Sequence, residues 1–163
     1  MALGDNTLLA ARGNDARGRG IYMVQHELDY AVALSDKGSA LAAADVIPVI
    51  SVPAGSVIMN AGVEVVVASS AGTMTFDLGT GVDVDCFVDG FDGDSGTAAG
   101  TYAQNAAAFQ PLVCTAAETI DVKLITQSGT ALTTGKIRVW AMIMDVSDIG
   151  VVGANEVDRD TLA

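Results

Sequence analysis

Five carboxylates, Asp83, Asp85, Asp89, Asp92 and Asp94, fall within the run DVDCFVDGFDGD. Clustered carboxylates on a loop are the donors a calcium ion takes, since it gathers roughly six to eight oxygens. The spacing departs from the EF-hand pattern, because no D-x-D-x-D-G run ends in a glutamate at the required distance. Asp83 and Asp85 share one face of the strand expected there, so they join the others only if the loop folds back. The second reading of Asp83 to Asp94 is a solvated acidic edge, whose charge keeps an exposed strand from pairing with a stranger.

His26 is the only histidine. A period of two places it with Val24 and Leu28, which predicts a half-buried, satisfied side chain rather than a base. Cys86 and Cys114 lie in or beside expected strands. They form a disulfide if those strands face each other, and otherwise stay as buried free thiols, since free cysteine packs as a small hydrophobe. The sequence contains no G-x-S-x-G, no Walker A and no H-E-x-x-H. Gly79-Thr80-Gly81 and the glycines from 90 to 100 precede no credible helix, so phosphate binding gains no support. Sugar clefts are usually lined with aromatics, and one Trp, three Tyr and four Phe leave few to spare. The expectation is a protein that is not an enzyme, with no catalytic, cofactor-binding or metal residue assigned.

Composition narrows the partners. The chain has 163 residues and a formal charge of −12. Nucleic acid is therefore not an expected partner, because phosphate binding needs clustered Lys and Arg. The charge is uneven: in residues 1–20, Arg12, Arg17 and Arg19 outnumber Asp5 and Asp15. A mildly basic arm on an acidic body can dock on an acidic neighbour, including another copy of the chain, or remain a solvated tail. No membrane span is expected, since the strongest apolar run, Ile137 to Val146, is broken by Arg138 and Asp145. The start of the chain lacks an apolar signal-peptide core, which predicts synthesis and assembly in the cytoplasm.

The elements that must position these residues are short strands. Residues 1–20 show no sustained period and read as an extended arm. Val24 to Leu34 alternates as one long strand within residues 21–39, although Val24, Leu28 and Val32 also fit a helical spacing. Val46 to Val52 reads as a strand that Pro48 assigns to an edge or a bulge. Pro53-Ala54-Gly55 turns the chain, and Asn60-Ala61-Gly62 predicts a hairpin between Ser56–Met59 and Val63–Ala68. Strands follow around Phe76 and from Val82 to Val88, joined by Gly79-Thr80-Gly81, and then comes a long irregular stretch over Asp89 to Ala108. Phe109–Val113, Glu118–Thr126 and Lys136–Val146 complete about eight strands. The last carries Ile137, Val139, Ala141 and Ile143 on one face and Arg138, Trp140, Met142 and Met144 on the other, so both faces look covered. The fold class is all-β: a single β-sandwich, jelly-roll-like, over residues 21–146, with the arm before it and a C-terminal tail over 147–163.

The body from DVIPVISVPAGSVIMNAGVEVVVAS through KIRVWAMIMDVSD, roughly residues 40–148, resembles the small virion structural proteins of tailed bacteriophages, in particular the capsid decoration or cement type. That resemblance implies a sandwich domain assembled as a homotrimer on the lattice of the major capsid protein, clamping neighbouring coat subunits in the virion. It brings no catalytic residues. The arm, longer than the simplest such domains need, leaves room for a tail-associated role. The alternative from another class is a carbohydrate-binding or host-recognition module, which would need calcium at Asp83 to Asp94 and a cluster of exposed aromatics.

Overall fold

The computed structural model describes residues 20–105 and 110–146. The arm up to residue 19, the tail from 147 to 163, and Phe109 lie outside the described residues. The strands are β1 (Tyr22–Asp29), β2 (Val46–Val52), β3 (Ser56–Val67), β4 (Thr73–Thr80), β5 (Val88–Asp92), β6 (Tyr102–Gln104), β7 (Leu112–Cys114), β8 (Glu118–Ser128) and β9 (Lys136–Asp145). One helix, α1 (Tyr30–Lys37), follows β1.

Two antiparallel sheets stack as an all-β sandwich. The first has the order β1-β9-β3-β6, with β7 pairing further along β3, and the second has the order β2-β8-β4-β5. Consecutive strands therefore alternate between layers at the start of the chain. The edge strands β1 and β2 touch on one open side, and β5 and β6 on the other.

Period-two alternation builds the core. Ile137, Val139, Ala141 and Ile143 of β9 point inward beside Ile58, Ala61, Val63 and Val65 of β3. Met74, Phe76 and Leu78 of β4 and Ile120, Val122 and Leu124 of β8 meet them from the second sheet. Phe76 and Phe91 pack with ring centroids 5.0 Å apart, tilted by 44°, the arrangement an aromatic quadrupole favours. As expected, Pro48 sits on an edge strand, and the β2–β8 register slips between Pro48 and Ile50.

Four expectations fail here. The alternation from Val24 to Leu34 is not one strand, because β1 stops at Asp29 and α1 begins. The Asp29 carboxylate accepts a hydrogen bond from the Ala31 N–H at 2.9 Å, capping the helix. Gly38 closes it, its N–H donating to the Leu34 and Ser35 carbonyls. Local capping outweighed a period-two pattern that Ala31 and Ala33 only weakly enforce.

Nor is there a hairpin at Asn60-Ala61-Gly62. β3 runs unbroken through it, with a bulge between Ile58 and Asn60. Gly62 is needed there for close approach: a Cβ would lie 2.7 Å from the Ala103 carbonyl oxygen and 2.7 Å from Trp140 Cζ2.

The expected strand over Val82 to Val88 yields only its last residue to β5. The Thr80 N–H donates to the Asp83 carbonyl at 2.7 Å and the Phe87 N–H to the Leu78 carbonyl at 3.0 Å. This folds residues 81–87 back over Gly79, where a Cβ would collide with the Asp83 and Val84 backbone. Val82 is 88% exposed. Finally, the stretch after Asp89 is less irregular than expected, since it contains most of β5 and all of β6.

Candidate functional site

The structure does not gather the sequence's chemical candidates into a centre. Asp83 and Asp85 sit in the folded-back loop rather than on a strand face, and a hydrogen bond between their carboxyls raises the Asp83 carboxyl above its ordinary range. Asp89 and Asp92 lie on β5. Asp92 accepts from the Asp94 N–H at 3.1 Å and Asp94 from the Gly96 N–H at 2.7 Å, so both shape the turn after β5. Among the described residues, no three His, Cys, Asp or Glu side chains come together as a metal ion would require.

His26 shares the expected face with Val24 and Leu28 but is exposed rather than half-buried, because β1 is an edge strand. Cys86 and Cys114 are free thiols. Burial, with help from the Asp83 charge, pushes Cys86 up to about 11, and burial also raises Cys114, so neither is a ready nucleophile at neutral pH. Among the described residues, no helix is long and apolar enough to cross a membrane.

What the fold does organise is the outer face of the first sheet. Direct pairing places Glu27, Arg138 and Glu64 in one row across β1, β9 and β3. The Arg138 guanidinium reaches Glu64 at 3.0 Å and Glu27 at 4.0 Å. One row away, the Lys136 ammonium bridges Glu27 and Asp29, each at 3.2 Å. Glu27 and Asp29 hold the Lys136 ammonium charged to higher pH than usual. The bond from Ala31 and then Lys136 hold the Asp29 carboxyl below its ordinary range. These groups are exposed, so the ladder contributes little stability. Its effect is to fill one end of the face with charges already matched to each other.

The opposite end of the same face is largely apolar, with Gln25 beside Trp140 and Asn60 beside Met142. Met23 pairs with Met142, and Val57 pairs with both Met144 and Val113. The Trp140 ring lies over Gly62 toward β6. Met23 is 64% exposed and Val113 58%. Exposed apolar side chains such as Met23, Val113 and Met142, grouped on one sheet face around the buried Val57 and bordered by a polar row, are the usual mark of an interaction surface. The sequence signalled only the β9 part of this patch. Met23, Val57 and Val113 come from three distant segments, and register alone brings them beside it.

No family model matches the sequence, and no curated protein matches it. Solved structures do share the fold. A chain from the capsid of Ralstonia phage GP4 superposes with a TM-score of 0.57 at 16% identity, over 77% of this chain and 84% of that one. A chain from the capsid asymmetric unit of cyanophage Pam1 gives 0.58 at 14% identity, over 78% and 86%. One from the acid-stable capsid of Helicobacter pylori bacteriophage KHP30 gives 0.50 at 15% identity, over 76% and 89%. At such identities the likeness establishes the shared sandwich.

Proposed function

We propose that this chain is a non-enzymatic structural protein of a tailed-phage virion, which decorates the capsid and cements it by bridging neighbouring coat subunits. The observation that carries the reading is the apolar end of the first sheet's outer face, around Trp140 and Met142, on a fold shared with three phage-capsid chains. Strand orders β1-β9-β3-β6/β7 and β2-β8-β4-β5 fit a jelly roll in which β6 and β7 occupy one place, a double sheet that presents broad faces.

Such a protein works by area and repetition. Each contact is modest, and symmetry multiplies it across the lattice, so no deep reactive pocket is required. In this reading the patch around Trp140 joins copies into a trimer, while the arm before Gly20 adds contacts beyond the sandwich. The partners are other copies and the major capsid protein. Nucleic acid and membrane are not partners of a chain carrying a net charge of −12. The site of action is the virion, after synthesis and assembly in the host cytoplasm. Light scattering on the purified chain tests the oligomer: the expected mass is about three times 16.5 kDa, and a strict monomer at every concentration contradicts it.

A further inference from the structure

Where β1 and β2 meet at the open side of the sandwich, α1 and its connector leave a groove of about 620 Å³. Leu28, Val32, Ala33, Leu41, Val46 and Ile47 give it an apolar lining. Val32 and Val46 remain 56% and 51% exposed, two branched aliphatics standing in water in one concavity. Four carboxylates, Glu27, Asp29, Asp36 and Asp45, line the groove against one cation, Lys37. Three are already claimed: Glu27 and Asp29 by Lys136, and Asp45 by Lys37. The Asp36 carboxylate has no hydrogen bond or ion pair with any described residue. Among the described residues both strands flanking the groove are sheet edges, β1 pairing only with β9 and β2 only with β8. An apolar floor, a free carboxylate and unpaired strand edges together fit an extended segment bearing aliphatics and one cation.

The chain contains such a segment outside the described residues: Leu8-Leu9-Ala10-Ala11-Arg12. We propose that the groove receives this segment from a second copy of the chain, with Leu8 and Leu9 on Val32 and Val46 and Arg12 on Asp36. The direction of β1 selects a second copy over the chain's own arm. β1 runs toward the groove, which takes in its His26–Asp29 end. Gly20, where the described chain begins, therefore lies beyond the far end of β1, about 20 Å from the groove. To reach its own groove the preceding chain would have to reverse and run back along β1, a reversal that the arm of a neighbouring copy does not need. The inference rests on the reading of the chain as a self-assembling structural protein, and it names what the arm holds.

The test uses the full chain, purified, with no capsid present. A photo-crosslinking benzoylphenylalanine replaces Leu9, and irradiated protein is resolved on a denaturing gel and mapped by peptide mass spectrometry. The expected product is a covalent dimer whose cross-link maps to peptides carrying Val32 or Val46. Asp36→Lys should lower its yield roughly threefold or more through charge repulsion, with melting temperature unchanged. Cross-links confined to single chains, cross-links mapping elsewhere, or an undiminished yield in Asp36→Lys each overturn the proposal. A groove cross-link in a protein that fails to bind capsids would remove the decoration reading alone. Capsid binding without the cross-link would remove the groove alone.

Discussion

Gly62 and Trp140 sit opposite each other in the β3–β9 pairing, and the Trp140 ring occupies the space that any side chain at position 62 would need. The only tryptophan of the chain is thereby laid against the sheet instead of standing away from it. A broad aromatic surface joins Met142 on the outer face. The missing side chain at Gly62 and the exposed patch are two consequences of one local arrangement.

Replacing Gly62 with alanine should therefore destabilise the fold by about 1–3 kcal/mol, the usual cost of overpacking. One of the two close neighbours is backbone, the Ala103 carbonyl oxygen at 2.7 Å, so a ring rotation alone cannot relieve the clash. Urea unfolding followed by tryptophan emission reads both the stability loss and the displaced ring. Unchanged stability and emission would mean that the strands separate freely at this point.

Trp140→Glu puts a charge into the apolar end without touching the core, because Trp140 faces outward. The expected outcome is a folded monomer, seen as an unchanged far-ultraviolet circular dichroism spectrum with a reduced mass in sedimentation. An oligomer that survives the substitution rules this face out as the contact.

Tyr30 is 1% exposed, and its hydroxyl has no hydrogen-bond partner among the described residues. Burial pushes its ionisation far above the ordinary tyrosine value. An unpartnered buried hydroxyl costs stability, so Tyr30→Phe should be neutral or stabilising within about 1 kcal/mol. A clear loss in thermal or urea unfolding would show that the hydroxyl is satisfied.

Asp83 gives a pH dependence of defined sign. Its carboxyl has an ordinary value of 3.8 that the neighbouring Asp85 raises in the folded chain. A raised folded value means that the fold favours the protonated form. Stability from this group is complete below 3.8 and falls as pH rises through the folded value, leaving a deficit at neutral pH. Asp83→Asn should accordingly melt higher than the parent at neutral pH and match it in strong acid. A lower melting temperature at neutral pH would mean that the carboxylate has a stabilising partner.

Much of the sandwich was legible because side-chain period and burial coincide in its central strands. β9 alternates without interruption and β8 does so from Ile120 to Leu124 apart from the buried Asp121, and Pro48 announced an edge since it cannot donate to a ladder. Glycine misled the reading twice. Gly62 and the Gly79–Gly81 pair look like turn residues, yet Gly62 and Gly79 serve a ring or backbone passing close overhead. The Gly62 partners lie 41 or more residues away, where no local pattern encodes them, whereas those of Gly79 are Asp83 and Val84, brought back by the loop that follows it. The helix was legible in principle: Asp29 before it, Lys37 in its last turn and Gly38 after it are start and stop signals. The alternation of Val24, His26 and Leu28 simply continued past them. The outer patch and the groove were the least legible, since each is assembled by register between distant strands.

The most direct test of the proposal that the chain decorates a phage capsid is co-sedimentation of the purified chain with coat shells of its candidate source phage, shells from which the protein has been removed. The account predicts saturable binding that reaches a fixed ratio to the major capsid protein. A chain that stays in the supernatant at all concentrations, while its sandwich remains folded, would contradict it.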